Sequence, residues 1–339
     1  MKLNDEKYSQ FALVREMMDT VGVVKNFNPN QTQEVAKAIS SVGRLLLTGE
    51  GSSRIFPAKN AIRKGLRWGV DLQIVTDGSR QSAQYDLSKF AVFCASNSGR
   101  TKEVVLLAKK LAEAGNEHRY ALTANEKTLL EEACNQAFVL TCGWEQAVAA
   151  TKSVIEQALF YESILWNISG KGSEVDFEAL SKHVETGLTL SIDKEIVDAA
   201  AKAPTIYFAG YNDGVAEELT LKTNEITRKK SDYLEGTYAV HGVEEVMDSN
   251  DIVFVVDPID EEIEKFQEVL VKGVGLNVVA IANRQTPFAT IQVPDAGEQS
   301  PYVYLCAGWN ILVEIGMALG INLDKPERAR KVGNEYIES

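Results

Sequence analysis

Residues 44–53 read Arg44-Leu45-Leu46-Leu47-Thr48-Gly49-Glu50-Gly51-Ser52-Ser53, and the architecture of the chain can be read from them. A short apolar run gives way at once to glycines and hydroxyls, and these open a longer stretch of helical spacing. That order describes a buried strand, a tight turn and a helix. It returns at 90–95 (FAVFCA), followed by Ser96-Asn97-Ser98-Gly99-Arg100-Thr101 and a helical pattern over 101–114 (TKEVVLLAKKLAEA) that stops at Gly115.

Beyond these two stretches, the first half also predicts strands at 72–76, 118–123 and 137–141. The second half predicts them at 205–209 (TIYFA), 251–256 (DIVFVV), 277–282 (NVVAIA) and 290–293. Strands alternating with helices imply an α/β fold with parallel sheets. The two series agree in length and order, so the chain reads as two copies of one doubly wound, flavodoxin-like unit flanked by helices. A Gly/Ser-rich break at 168–173 (ISGKGS) separates them. The expected organisation is an N-terminal helical segment over 1–27 packed outside the first sheet, a first domain over 28–170 and a second over 171–339.

Composition narrows the function classes. A chain of 339 residues with 45% apolar and 24% charged residues is neither disordered nor membrane-embedded. The opening MKLNDEKYSQ is polar, and no apolar run approaches the roughly 18 residues that span a bilayer, so a cytoplasmic location is expected. Cys94, Cys134, Cys142 and Cys306 are scattered without metal-ligand spacing and read as reduced thiols. Neither a metal nor another cofactor is expected. A net charge of −13 argues against a nucleic-acid partner. It leaves room for a small anion, because backbone N–H groups at a helix start hold phosphate without net positive charge.

Open parallel sheets bind ligands beyond the carboxyl ends of their strands. The loops there in the first half are Gly49–Ser53 and Ser96–Thr101, both combining glycine, hydroxyls and a helix start. The corresponding second-half loops, 210–214 and 257–260, lack serine and carry carboxylates, which places the phosphate site in the first half. Taken singly, Ser52, Ser53, Ser96 and Ser98 are ordinary caps and turn residues. Two such loops at matched strand ends favour a site.

These loops, together with 147–152 (AVAATK), resemble the phosphosugar-binding signature of the sugar isomerase (SIS) domain family, here as two SIS domains in tandem. The chain is most similar to the isomerase domain of glucosamine-6-phosphate synthases and to SIS-type glucosamine-6-phosphate deaminases. The synthase's glutaminase part has no counterpart, so ammonia from glutamine is not expected. The resemblance implies that Ser53, Ser96, Ser98 and Thr101 hold the sugar phosphate, with Gly51, Ser52 and Asn97 beside them. It also implies a homodimer whose active site is shared between subunits, the histidine coming from the neighbour. Departures from the family pattern are Arg100, where the synthase usually has an acid, Ala150 in place of a serine, Val243 after His241-Gly242 where proline is common, and the segment 235–240 (EGTYAV) before them.

The same resemblance assigns chemistry to Lys222, Glu225, His241 and Lys331. Glu225 would move a proton between C1 and C2 of the open-chain sugar and His241 would assist ring opening. Lys331 would lie near the anomeric carbon, with Lys222 close by. The residue types suit that chemistry, which needs a carboxylate for proton transfer next to a carbonyl, cations for the developing oxyanion, and a group titrating near neutrality. Lys222 and Glu225, three apart, share one helical face. Seen alone, each has a plainer reading: a solvated Lys/Glu pair, a turn histidine, a charged tail. The expected activity is an amino-sugar-phosphate isomerase or deaminase, with glucosamine 6-phosphate giving fructose 6-phosphate and ammonia. The alternatives are a fructosamine-6-phosphate deglycase and a non-catalytic phosphosugar-binding protein.

Overall fold

The first sheet is built from β1 (Arg44–Gly49), β2 (Gln73–Gly78), β3 (Ala91–Ala95), β4 (Arg119–Thr123) and β5 (Gln136–Val139) in a computed structural model that describes residues 1–337. Its order is β2-β1-β3-β4-β5 and every pairing is parallel. The second sheet comprises β6 (Thr205–Gly210), β7 (Lys230–Glu235), β8 (Ile252–Val256), β9 (Asn277–Ala282) and β10 (Ala289–Gln292). Its order is β10-β9-β8-β6-β7, again all parallel. The strand order reverses direction between β1 and β3 in one sheet and between β6 and β8 in the other.

Nine of these strands coincide with predicted runs; β7 (KSDYLE) does not. It is an edge strand in which Lys230, Asp232 and Glu235 are exposed and Leu234 alone is fully buried. Charge on an edge strand blocks further pairing, and it also erases the apolar run by which a central strand is read.

Each sheet rests on one helix that is buried almost all round. In the first unit this is Lys152–Ser169, buried from Lys152 to Trp166. Phe160 and Tyr161 on it meet Phe93 of β3 edge-on at centroid distances of 5.6 and 5.5 Å. Its Glu162 lies 2.6 Å from the ammonium of Lys64 on the helix Ile55–Trp68, and both side chains are buried. The second unit has Ser300–Ala318, whose Gly308 faces Leu219 on the helix Val215–Lys222. A Cβ at Gly308 would stand 2.3 Å from a Leu219 methyl, so glycine there permits the approach.

The chain ends pack differently from expectation. Residues Met1–Val21 belong to the unit of the second sheet rather than lying outside the first. Asp324 explains the attachment: its carboxylate accepts the Ala12 and Leu13 N–H groups, both at 2.8 Å, at the start of the helix Ala12–Lys25. The described residues from Arg328 onward belong to the unit of the first sheet. No helix among the described residues is long and apolar enough to cross a membrane.

Candidate functional site

β1 and β3 run side by side in register from Leu45↔Ala91 to Thr48↔Cys94, so the loops that follow them leave the sheet together at its reversal point. Gly49 is tightly enclosed: a Cβ there would lie 2.8 Å from the Ala95 carbonyl and 3.0 Å from that of Ser53. Gly51 and Gly99 turn the two loops with φ of 54° and 65°. The Ser96 hydroxyl lies 2.8 Å from that of Thr101 and 3.5 Å from that of Ser98. Ser98 Oγ also accepts the Arg100 N–H at 3.2 Å. Ser52 and Ser96 are buried, and Ser53 and Ser98 are half-buried. The two loops that carry the expected phosphate residues therefore leave the sheet at the same edge.

Buried acids that sequence reasoning missed hold this edge in place. Glu145, fully enclosed, accepts from Asn97 Nδ2 at 3.3 Å and from the Thr151 N–H and hydroxyl at 2.6 and 2.8 Å. It also accepts from Ser153 Oγ at 2.5 Å. Glu156 accepts from the Thr141 N–H and hydroxyl and the Cys142 N–H at 2.6 to 2.8 Å. Gln157 Nε2 donates to the Ser53 carbonyl at 2.6 Å and so holds the other loop. A buried carboxylate is tolerable only when its acceptor sites are filled, and these two are filled by loop donors. The one sequence signal was the presence of Glu156 and Gln157 inside a largely apolar helical run.

Glu50, between Gly49 and Gly51, accepts the Ser79 N–H at 2.9 Å. Burial pushes its carboxyl above the usual range and the nearby Glu103 adds to that, against the opposing Ser79 hydrogen bond. Lys331 lies in the same unit, with its ammonium over the Trp144 ring at 5.8 Å from the centroid. Trp144 itself is 46% exposed.

Lys222, Glu225 and His241 belong to the other unit. The helix Val215–Lys222 ends in a wider π turn, Thr223–Thr227, that carries Glu225. Such turns are frequent at functional sites, and the chain carries a second one over Gln267–Val274. The fully buried Lys222 ammonium lies 2.7 Å from Glu225 and 3.4 Å from the equally buried Glu218. Glu225 keeps 27% of its side chain exposed, so one carboxylate of the set reaches solvent.

The structure does not bring His241 to this pair. Glu225 precedes β7, at the amino edge of the second sheet, whereas the exposed His241 follows β7 at the carboxyl edge. Six strand residues at about 3.3 Å each separate the edges by roughly 17 Å or more. At the reversal point of this sheet, the loop after β8 is tied to the loop after β9. Arg284 donates to Asp257 and to Asp260, both at 2.8 Å.

No family model matches the chain, and no curated sequence does. Solved structures do. The C-terminal domain of glucosamine-fructose-6-phosphate aminotransferase from Francisella tularensis superposes with a TM-score of 0.77 at 17% identity, covering 95% of this chain and 100% of that one. Glucosamine-6-phosphate deaminase from Thermotoga maritima gives 0.76 at 19% identity, covering 95% and 99%. Tagatose-6-phosphate ketose/aldose isomerase from Escherichia coli gives 0.73 at 16%, covering 93% and 96%. The chain shares their fold over nearly its whole length.

Proposed function

We propose that this protein is a phosphosugar isomerase-type enzyme whose substrate is an amino-sugar 6-phosphate. The observation that carries the reading is the meeting of two hydroxyl-rich, glycine-turned loops at the reversal point of the first sheet, held there by Glu145 and Gln157. The structural neighbours support it, since the three described above all carry a sugar 6-phosphate in their names.

In this reading the hydroxyls of Ser53, Ser96, Ser98 and Thr101 hold the phosphate, with Gly51, Ser52 and Asn97 shaping the cradle. Glu225 removes the C2 proton of the open-chain amino sugar and returns it to C1. As the C1 oxygen gains a proton and the nitrogen gives one up, the C2 amine becomes an imine, which water hydrolyses to fructose 6-phosphate and ammonia. Lys222, 2.7 Å from Glu225, orients that carboxylate for the proton transfer. Lys331 offsets negative charge developing at the C1 oxygen.

Ring opening falls to His241, supplied by a second copy of the chain. The placement of Glu225 before β7 and of His241 after it is the feature that favours a histidine from the neighbour. Incubation with glucosamine 6-phosphate tests the reading. Ammonia and fructose 6-phosphate should appear in equal amounts. Turnover only with fructosamine 6-phosphates would make the protein a deglycase, and binding without turnover of either would make it a sensor.

A further inference from the structure

The described residues from Arg328 onward lie along the loop that carries Ser96, Ser98 and Thr101. Glu335 pairs antiparallel with Thr101. The Lys102 N–H donates to the Asn334 carbonyl at 2.9 Å, and the Tyr336 N–H donates to the Arg100 carbonyl at 2.9 Å. Side chains reinforce the pairing. The Arg100 guanidinium lies 3.2 Å from Glu335, and Asn334 Nδ2 donates to Glu103 at 2.6 Å. Lys109 Nζ donates to the Tyr336 hydroxyl at 3.1 Å and stands 4.5 Å from its ring centroid. The Tyr336 ring packs on the core that includes Val104, Leu107 and Leu111. Three residues upstream of Asn334, Lys331 stands over Trp144.

The consequence is a shared element. Lys102 opens the helix Lys102–Glu113, and its N–H is one of the donors an α-helix leaves unsatisfied at its start. The tail takes that donor, and the loop hydroxyls sit on the preceding residues. Any ligand that orders 96–101 also orders the backbone to which 334–336 are paired. Coupling of this kind is reciprocal, so a docked tail tightens the ligand by the factor by which the ligand favours docking.

We propose that Arg100, Glu335 and Tyr336 are positioning residues: they clip the chain end to the 96–101 loop, so that ligand phosphate at this loop fixes the position of Lys331. The inference rests on the reading of 96–101 as a phosphate loop. The Arg100–Glu335 pair is exposed, 61% and 45%, and is the weaker member of the clip. Tyr336 and the two backbone bonds carry more.

The test is hydrogen–deuterium exchange of the C-terminal peptide 328–339 in the full-length protein, alone and with saturating glucosamine 6-phosphate, with binding followed in parallel by calorimetry. The ligand should slow exchange of this peptide several-fold. Arg100→Glu and Glu335→Arg should each reduce that protection by up to about fivefold, and the double exchange should restore it. Tyr336→Ala should reduce it further. Calorimetric binding with no change in tail exchange would overturn the clip, and so would a double variant no better than the singles. Absence of binding to the wild type would instead overturn the phosphate-loop reading, and the clip with it.

Discussion

The ammonium of Lys222 lies 2.7 Å from the carboxylate of Glu225, and the pair is carried across the junction of an α-helix and a π turn. Lys222 is fully buried and also faces Glu218, which is itself enclosed. Replacing Lys222 by methionine would leave Glu218 as a buried charge without its cation. Loss of one partner from a buried ion pair costs about 3–5 kcal/mol. Denaturant unfolding of Lys222→Met should show a loss of that size, whereas Glu225→Gln, at a partly exposed position, should be much closer to wild type.

Glu145 organises the loop edge by accepting four hydrogen bonds from Asn97, Thr151 and Ser153. Glu145→Ala leaves those buried donors unpaired, at roughly 1–3 kcal/mol for each one unmet. Thermal unfolding should drop accordingly, and affinity for glucosamine 6-phosphate should fall with it. Glu145→Gln, which keeps the shape but gives up part of the acceptor capacity, should fall between.

Glu50 sets a pH dependence. Its carboxyl titrates above the ordinary value of 4.5 in the folded chain, so the folded state binds more protons than the unfolded one over the interval between the two values. Stability therefore falls as pH rises from about 4.5 through the folded-state value, and levels off above it. Glu50→Gln should remove this slope and leave the variant relatively more stable near neutrality than at pH 4. Denaturation midpoints of both proteins across that range provide the check; a wild-type advantage that grows with pH would contradict it.

The separation of Glu225 and His241 leads to a complementation test. Glu225→Gln and His241→Ala should each be inactive alone. Mixed, unfolded and refolded together at equal amounts, they should recover roughly a quarter of wild-type activity. Half the dimers would then be hybrids, each with one intact site of two. Recovery of nothing would mean that His241 acts elsewhere or not at all.

Much of the architecture was legible because parallel strands are buried on both faces and therefore read as unbroken apolar runs. β3 and β8 (IVFVV), buried throughout, are the clearest cases. β7 was hidden because an edge strand in water carries charge. The hydroxyls of Ser96 and Thr101 were legible from composition at a strand end, but Glu145 and Glu156 were not. Glu156 stood out only as an acid within an apolar helical run, and nothing around Glu145 distinguishes an acid that will be enclosed by donors from one that will face solvent. The partners of the chain ends were equally hidden: Asp324 capping the helix Ala12–Lys25 is a contact between residues more than three hundred positions apart.

If the loops bind the sugar phosphate while Glu225 performs the proton transfer, binding and turnover must separate when Glu225 alone is changed. Calorimetric binding and turnover of glucosamine 6-phosphate should therefore be compared side by side in the wild type and in Glu225→Gln. Binding should be nearly unchanged in the variant, while turnover falls by about 10²–10⁴-fold, the usual contribution of a positioned general base. A Glu225→Gln protein that turns substrate over at the wild-type rate would contradict this division of labour, as would a wild type that fails to bind the sugar phosphate.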